Sequence, residues 1–209
     1  MTGGSRLKTR TIYSSARSAL ERYDTALPAS RWADVSAGGF GVSLLNTAKY
    51  GYDIKGKTMR LSLLRSPKSP DPTADRGKHS IEYSLYPHEG TWQTSATIQR
   101  GYEINVPLIA AITTRHGGPL PASRSFLRLE SGRCVLTSVK KAEDSDAWVI
   151  QWYNPDSEDV TATLELPLKP KKVVRSNFLE ADGAEIPLTG NRVQVPTGSR
   201  AVVTVKCTF

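Results

Sequence analysis

The sequence is poor in the residues that would announce a metal site, a disulfide framework or a membrane segment. It holds two cysteines, Cys134 and Cys207, far apart and without C-x-x-C spacing. That excludes a zinc knuckle and a disulfide framework, and leaves two buried, reduced thiols as the expected state. No stretch approaches the roughly 18 consecutive apolar residues that a membrane span needs, so no membrane partner is expected. The opening MTGGSRLKTRTIYSSARSALER carries positive charge but no apolar h-region, which speaks against a secretory signal and for a cytoplasmic location, or for a piece of something longer. Three histidines, His79, His88 and His116, are the whole imidazole supply. None stands at H-E-x-x-H or another metal spacing, and His116, before Gly117-Gly118, reads as a loop residue that could face a cleft. The G-x-S-x-G elbow of serine hydrolases is missing.

What remains is the composition of a globular protein, with 38% hydrophobic and 23% charged residues in 209. That length suits one large β domain or two small ones. The net charge of +8 and pI near 9.6 raise nucleic acid as a partner. The densest basic groups, SRLKTR and KPKK, sit beside no aromatic platform of the kind single-strand binders use. They read as a solvated surface, and no nucleic-acid partner is expected.

Helical periodicity is nearly absent after Glu21. Short alternating segments dominate, among them YDTAL, FGVSLLNT, TMRLSLLR, SIEYSLYPH, YEINVPLIAA, AWVIQWYN and RAVVTVKCTF, separated by turn-forming NPDSED, EADG, LTGN and PTGS. The expected fold is all-β: an antiparallel β-sandwich, large, with a smaller C-terminal β subdomain. The expected boundaries are an N-terminal extension at 1–20, partly disordered, a first β-sandwich region at 21–122 and a C-terminal β subdomain at 123–209. Two proline-rich excursions break the rhythm. SPKSPDPTADRGK (66–78) is a long surface loop of the sort that often serves binding. RHGGPLPASRS (115–125) marks the expected seam between the two regions.

GYDIKGKT (51–58) fits the phosphate-loop pattern G-x-x-x-x-G-K-[ST]. A phosphate loop must run into a helix, whose N-terminal N–H groups hold the anion. Here MRLSLLRSP follows, alternating like a strand, and Asp53 would bring a carboxylate toward a polyphosphate. The stretch reads as a hairpin turning at Lys55-Gly56-Lys57. Trp32, Trp92, Trp148 and Trp152 could form a sugar-stacking platform, with core packing as the default for such residues. Asp53, Asp75, Glu143 and Asp144 supply carboxylates, and nothing in their spacing pairs any two for glycosidase chemistry.

RWADVSAGGFGVSLLNTAKYGYDIKGKTMRLSLLRSPKSPDPTADRGKHSIEYSLYPHEG, HGGPLPASRSFLRLESGRCVLTSVKKAED and the closing TGSRAVVTVKCTF together resemble the C-terminal β region of glycoside hydrolase family 38, the zinc-dependent α-mannosidases. Thr47 stands where that family favours an acidic or amide residue. The resemblance implies that zinc ligands and nucleophile belong to an N-terminal catalytic domain outside these residues. This chain would then carry no catalytic residue, no metal ligand and no cofactor of its own, with zinc expected in the catalytic domain. Its implied role is to support that domain and shape a cleft for mannose-containing glycans. By motif order, Arg65 in SLLRSP and Arg76 in ADRG match the arginine that reaches sugar in some members, with Asp75 as an orienting partner. Asp53, Tyr52 and Tyr50 are further candidates for the same wall. The alternative is a free-standing carbohydrate-binding β domain. An apolar patch is expected where the partner domain packs, and with it a tendency to form a homo-oligomer.

Overall fold

A computed structural model describes residues 27–209 apart from Lys57, His116 and Ser131, with the side chains of Leu27 and Pro28 left out. The expected N-terminal extension, the start of YDTAL and the expected cleft histidine His116 lie outside the described residues. The chain divides into two units, Met1–Thr113 and Thr114–Phe209.

The first unit runs β1 (Leu27–Pro28), β2 (Trp32–Ala37), β3 (Phe40–Asn46), β4 (Gly51–Lys55), β5 (Thr58–Leu61), β6 (Tyr83–Glu89) and the helix α1 (Thr97–Asn105). Two antiparallel three-stranded sheets result, in the orders β1-β4-β5 and β2-β3-β6. Ala37 pairs with Phe40 across Gly38 and Gly39, whose φ of 62° and 83° give the mirror-image turn that matches strand twist and that side chains resist. This turn sets the register of the second sheet. Asp34–Ser43–Tyr86 and Ser36–Gly41–His88 become cross-strand ranks on one face, and Ala33–Leu44–Leu85 and Val35–Val42–Pro87 on the other. The small sheet β1-β4-β5 contributes Tyr52 to a cluster with Ala29, Ala33 and Leu44, against which Ile54, Met59 and Leu61 pack.

YEINVPLIAA, expected as a strand, is instead the second half of α1 followed by a segment without regular structure. Two local features explain it. Gly101 lets the helix approach Trp32 so closely that an added Cβ would lie 2.9 Å from its Cδ1. At the other end Val106 N–H bonds to Tyr102 O, and Pro107, with no N–H and a restricted predecessor, ends the element.

The second unit holds β7 (Arg128–Glu130), β8 (Val135–Lys141), β9 (Trp148–Tyr153), β10 (Val160–Glu165), β11 (Lys172–Ser176), β12 (Asp182–Glu185), β13 (Leu188–Thr189), β14 (Arg192–Thr197) and β15 (Val202–Thr208). They form a four-stranded sheet, β13-β14-β10-β7, and a five-stranded sheet, β12-β11-β15-β9-β8. All pairings given by the register are antiparallel. The alternation in RVQVPT appears directly as exposed-buried burial along β14. Ile150, Trp152, Val203, Val205, Leu164 and Val195, from both sheets, make the centre of one core. Fully burying a Val, Leu or Ile there stabilises by about 1.5–3 kcal/mol each. Trp152 Nε1–H donates to Thr197 Oγ1 at 3.1 Å, joining the two sheets through a satisfied indole.

Candidate functional site

The hairpin and the long excursion carry the candidate sugar-wall residues. In the hairpin, Lys55 pairs with Thr58, and Gly56 takes a φ of 58° with open space around it. Thr58 begins a strand, so no helix N-terminus faces the would-be phosphate loop. Asp53 pairs across the hairpin with Arg60, whose Nη1 donates to Asp53 Oδ2. Asp53 Oδ1 is enclosed and accepts no hydrogen bond.

Tyr52, expected in a substrate wall, lies instead in the interior at 1% exposure. Its hydroxyl donates to Leu44 O at 3.2 Å and receives Asn46 Nδ2. Burial pushes its phenol pKa up, with the Asn46 bond working against the shift. In a continuing strand the two-residue spacing would put Tyr50 and Tyr52 on one face, but Tyr50 precedes β4 and is 57% exposed, while Tyr52, within it, packs on Ala29, Ala33 and Leu44. Asn46 is a hub for this end of the sheet. Its Oδ1 accepts Lys49 N at 2.6 Å, and its carbonyl accepts Asn105 Nδ2 from α1 at 2.9 Å.

The excursion after β5 is closed at its neck. Asp75 Oδ2 accepts the backbone N–H of Ser66 at 2.8 Å, and Asp75 O lies 2.8 Å from His79 Nε2. Both bridging residues sit at positive φ, 47° for Ser66 and 60° for Asp75, a conformation Asp tolerates better than most side chains. Within the loop Asp71 Oδ1 accepts Thr73 N and Thr73 Oγ1, bonds that hold its carboxyl below the usual range. Arg65 and Arg76 are the chain neighbours of the two bridging residues and are both exposed. The Ser66–Asp75 bond therefore brings their backbones to one neck. Asp75 positions the pair through the main chain rather than by holding a guanidinium. Each guanidinium offers five N–H donors in a planar fork, suited to adjacent hydroxyls.

A second constellation was not legible in the sequence. Asp34 Oδ2 accepts Ser43 Oγ at 2.8 Å and lies 2.7 Å from His88 Nε2, while Asp34 Oδ1 accepts Ser36 Oγ. Ser43 Oγ continues to Thr97 Oγ1 at 2.7 Å, and Thr97 to Ser95 Oγ at 2.7 Å. His88 Nδ1 faces Glu89 O at 3.2 Å. Gly41 makes room for the ring, since a Cβ there would sit 2.4 Å from His88 Cε1. The composition suggests a nucleophile triad, and the geometry refuses it. The carboxylate, not the imidazole, is the shared partner of serine and histidine, so the serine–imidazole contact that defines the triad is not made. The group is also sealed, with Ser43 and Thr97 at 0% exposure. It is a satisfied polar interior of the sort that fixes a register.

The tryptophans belong to the cores. Trp152 is fully buried, Trp148 packs on the same cluster, and Trp32 and Trp92 stack at 5.3 Å between ring centroids. Among the described residues no three His, Cys, Asp or Glu side chains converge as a metal site requires. This donor set does not fit the zinc that the family implies. No described helix is long and apolar enough to cross a membrane.

Comparison with known proteins decides the family. Residues 7–73 match the glycosyl hydrolases family 38 C-terminal domain, and residues 133–206 match the family 38 C-terminal beta sandwich domain. The chain belongs to the C-terminal region of glycoside hydrolase family 38. Among this family's members, alpha-mannosidase 2C1 of Homo sapiens is 38% identical over 173 residues, covering 80% of this chain and 16% of its own length. Alpha-mannosidase G of Dictyostelium discoideum is 37% identical over 160 residues, covering 72% of this chain and 14% of its own. The alpha-mannosidase of Saccharomyces cerevisiae reaches 51% identity over 117 residues, 56% of this chain and 10% of its own length. The chain thus spans about a sixth or less of these family 38 relatives. A family 38 crystal structure from Enterococcus faecalis shares the fold with a TM-score of 0.71 at 21% identity, over 88% of this chain and 22% of that one.

Proposed function

We propose that this chain serves as the C-terminal β region of an α-mannosidase acting on mannose-containing glycans, with hydrolysis carried out by a zinc-holding catalytic domain of the same enzyme. Its own part is to support that domain and to lend Arg65 and Arg76 to the wall of the glycan cleft. One observation carries the reading: two successive C-terminal domains of one family match this chain in order, and both arginines project from a neck that Asp75 holds closed.

The test is a chimera in which residues 7–209 replace the matching region of human alpha-mannosidase 2C1. Turnover of an aryl α-mannoside is expected, with Arg65→Ala/Arg76→Ala raising KM for an oligomannoside by about tenfold, the worth of roughly 1.4 kcal/mol. A folded chimera without turnover would remove the reading. A free-standing carbohydrate-binding domain is the weaker alternative, because Trp32, Trp92 and Trp152 are buried and the half-buried Trp148 packs edge-on against Phe209, so the tryptophans do not line up as a stacking platform.

A further inference from the structure

The sheet β2-β3-β6 is inside out. Its polar face, with Asp34, Ser43 and His88, is buried under α1 through Thr97 and Gly101. Its opposite face is apolar and only partly covered. Tyr52, Ile54 and Met59 of the small sheet lie over Ala33 and Leu44. Beyond them Phe40 is 53% exposed, Leu85 64% and Tyr83 57%, and Pro87 is exposed beside the half-buried Val35 and Val42. Antiparallel sheets usually present their polar face to water and their apolar face to a second layer. A contiguous apolar patch of this kind marks an interaction site.

We propose that this open face takes a second β-layer, supplied by the part of an α-mannosidase that precedes this region. The proposal rests on the reading above and names the surface that makes the contact. Three observations favour this occupant. The covering layer on this face is already a sheet, so further strands beside it keep the roughly 10 Å spacing of packed sheets. The first described residues, Leu27–Pro28, form a strand of that same covering layer by pairing with Tyr52 and Gly51, so the layer already draws strands from distant parts of the sequence. And the family 38 relatives carry far more chain than this region, which covers 16% of the human enzyme and 22% of the Enterococcus faecalis structure. The chemistry favours an apolar protein layer over a sugar or an anion as occupant. The ranks Ala33–Leu44–Leu85 and Val35–Val42–Pro87 hold no hydrogen-bonding side chain, and Glu89 lies at the rim opposite Phe40.

The test compares the isolated chain with the same 2C1 chimera by hydrogen exchange. Amides of Phe40–Asn46 and Tyr83–Glu89 gain about tenfold protection in the chimera. Phe40→Lys/Leu85→Lys removes that gain and lowers the chimera's Tm by several degrees, yet leaves the isolated chain's Tm unchanged, because both side chains are open there. Equal protection in the isolated chain and the folded chimera would overturn the proposal. So would self-association of the isolated chain that the lysines abolish while the chimera shows no gain, which would make a second copy the occupant. Aryl mannoside turnover reads the function separately: protection without turnover keeps the docking face, and turnover without protection keeps only the function. Should the chimera fail to fold, lysines at the two aligned positions of the native human enzyme give the same answer. An unchanged Tm there overturns the docking face.

Discussion

His88 Nε2 lies 2.7 Å from Asp34 Oδ2 across 54 residues of sequence, and both side chains are 2% exposed. The same side chain also holds Ser36 and Ser43, so losing an acceptor oxygen strands several buried groups at once. Asp34→Asn, which turns one acceptor oxygen into a donor facing other donors, is expected to cost about 2–3 kcal/mol, the upper part of the range for a buried polar group left unsatisfied. Ser43→Ala, which removes one bond, costs about 1–2 kcal/mol. Urea unfolding of the chain reads both, and equal small losses would show that the carboxylate is not the hub.

Gly41 sits opposite His88, and its missing Cβ is what admits the imidazole. Gly41→Ala therefore forces the ring off Asp34 and destabilises by about 2–3 kcal/mol, within the range for overpacked interiors. In Gly41→Ala/His88→Ala the clash with the ring is gone and only the 2.5 Å approach to Ser36 Oγ remains, so the double variant loses less than the sum of the singles. Additive losses in that cycle would contradict the contact.

Cys207 is fully buried, and burial pushes its thiol from 9.0 up to about 12. The unfolded chain releases this proton first. The stability this group contributes is present below pH 9 and is lost progressively as pH rises toward 12. Tyr52, also raised by burial, acts in the same direction. Cys207→Val flattens the alkaline fall in urea midpoint without abolishing it. An identical slope in the variant would mean the thiol does not titrate in this window.

Asp75 closes the loop neck with one bond to Ser66 N. Asp75→Ala frees residues 66–76, so limited proteolysis cuts there faster while the global Tm changes little, since the exposed loop shares no core. In the 2C1 chimera the same change raises KM with kcat nearly constant, as expected for loss of positioning rather than chemistry. A fall in kcat alone would point elsewhere.

Much of the second unit can be read residue by residue. RVQVPT alternates because its partner strand and the opposing sheet demand it, and Ile150 and Trp152 face inward two residues apart for the same reason. The hairpin at Gly56 followed from the strand after it. The helix α1 escaped because nine residues with an interior glycine and several β-branched side chains carry little helical signal, and packing on Trp32 stabilises it instead. Tyr50 and Tyr52 stand two apart, a spacing that alternation puts on one face, and only the start of β4 at Gly51 and the packing of Tyr52 on Ala29, Ala33 and Leu44 separate the buried ring from the exposed one.

By itself the sequence determined the β character, the turns, the family and the exposed position of two arginines on a proline-rich loop, since these depend on local alternation, turn chemistry and ordered motifs. Tertiary structure alone decided that Asp34, Ser43 and His88 meet, and that the sheet bearing them buries its polar side and opens its apolar one. That outcome depends on cross-strand register between segments far apart in the chain, fixed by the Gly38-Gly39 turn and by the return of β6 onto β3. A one-residue slip would have exchanged the faces.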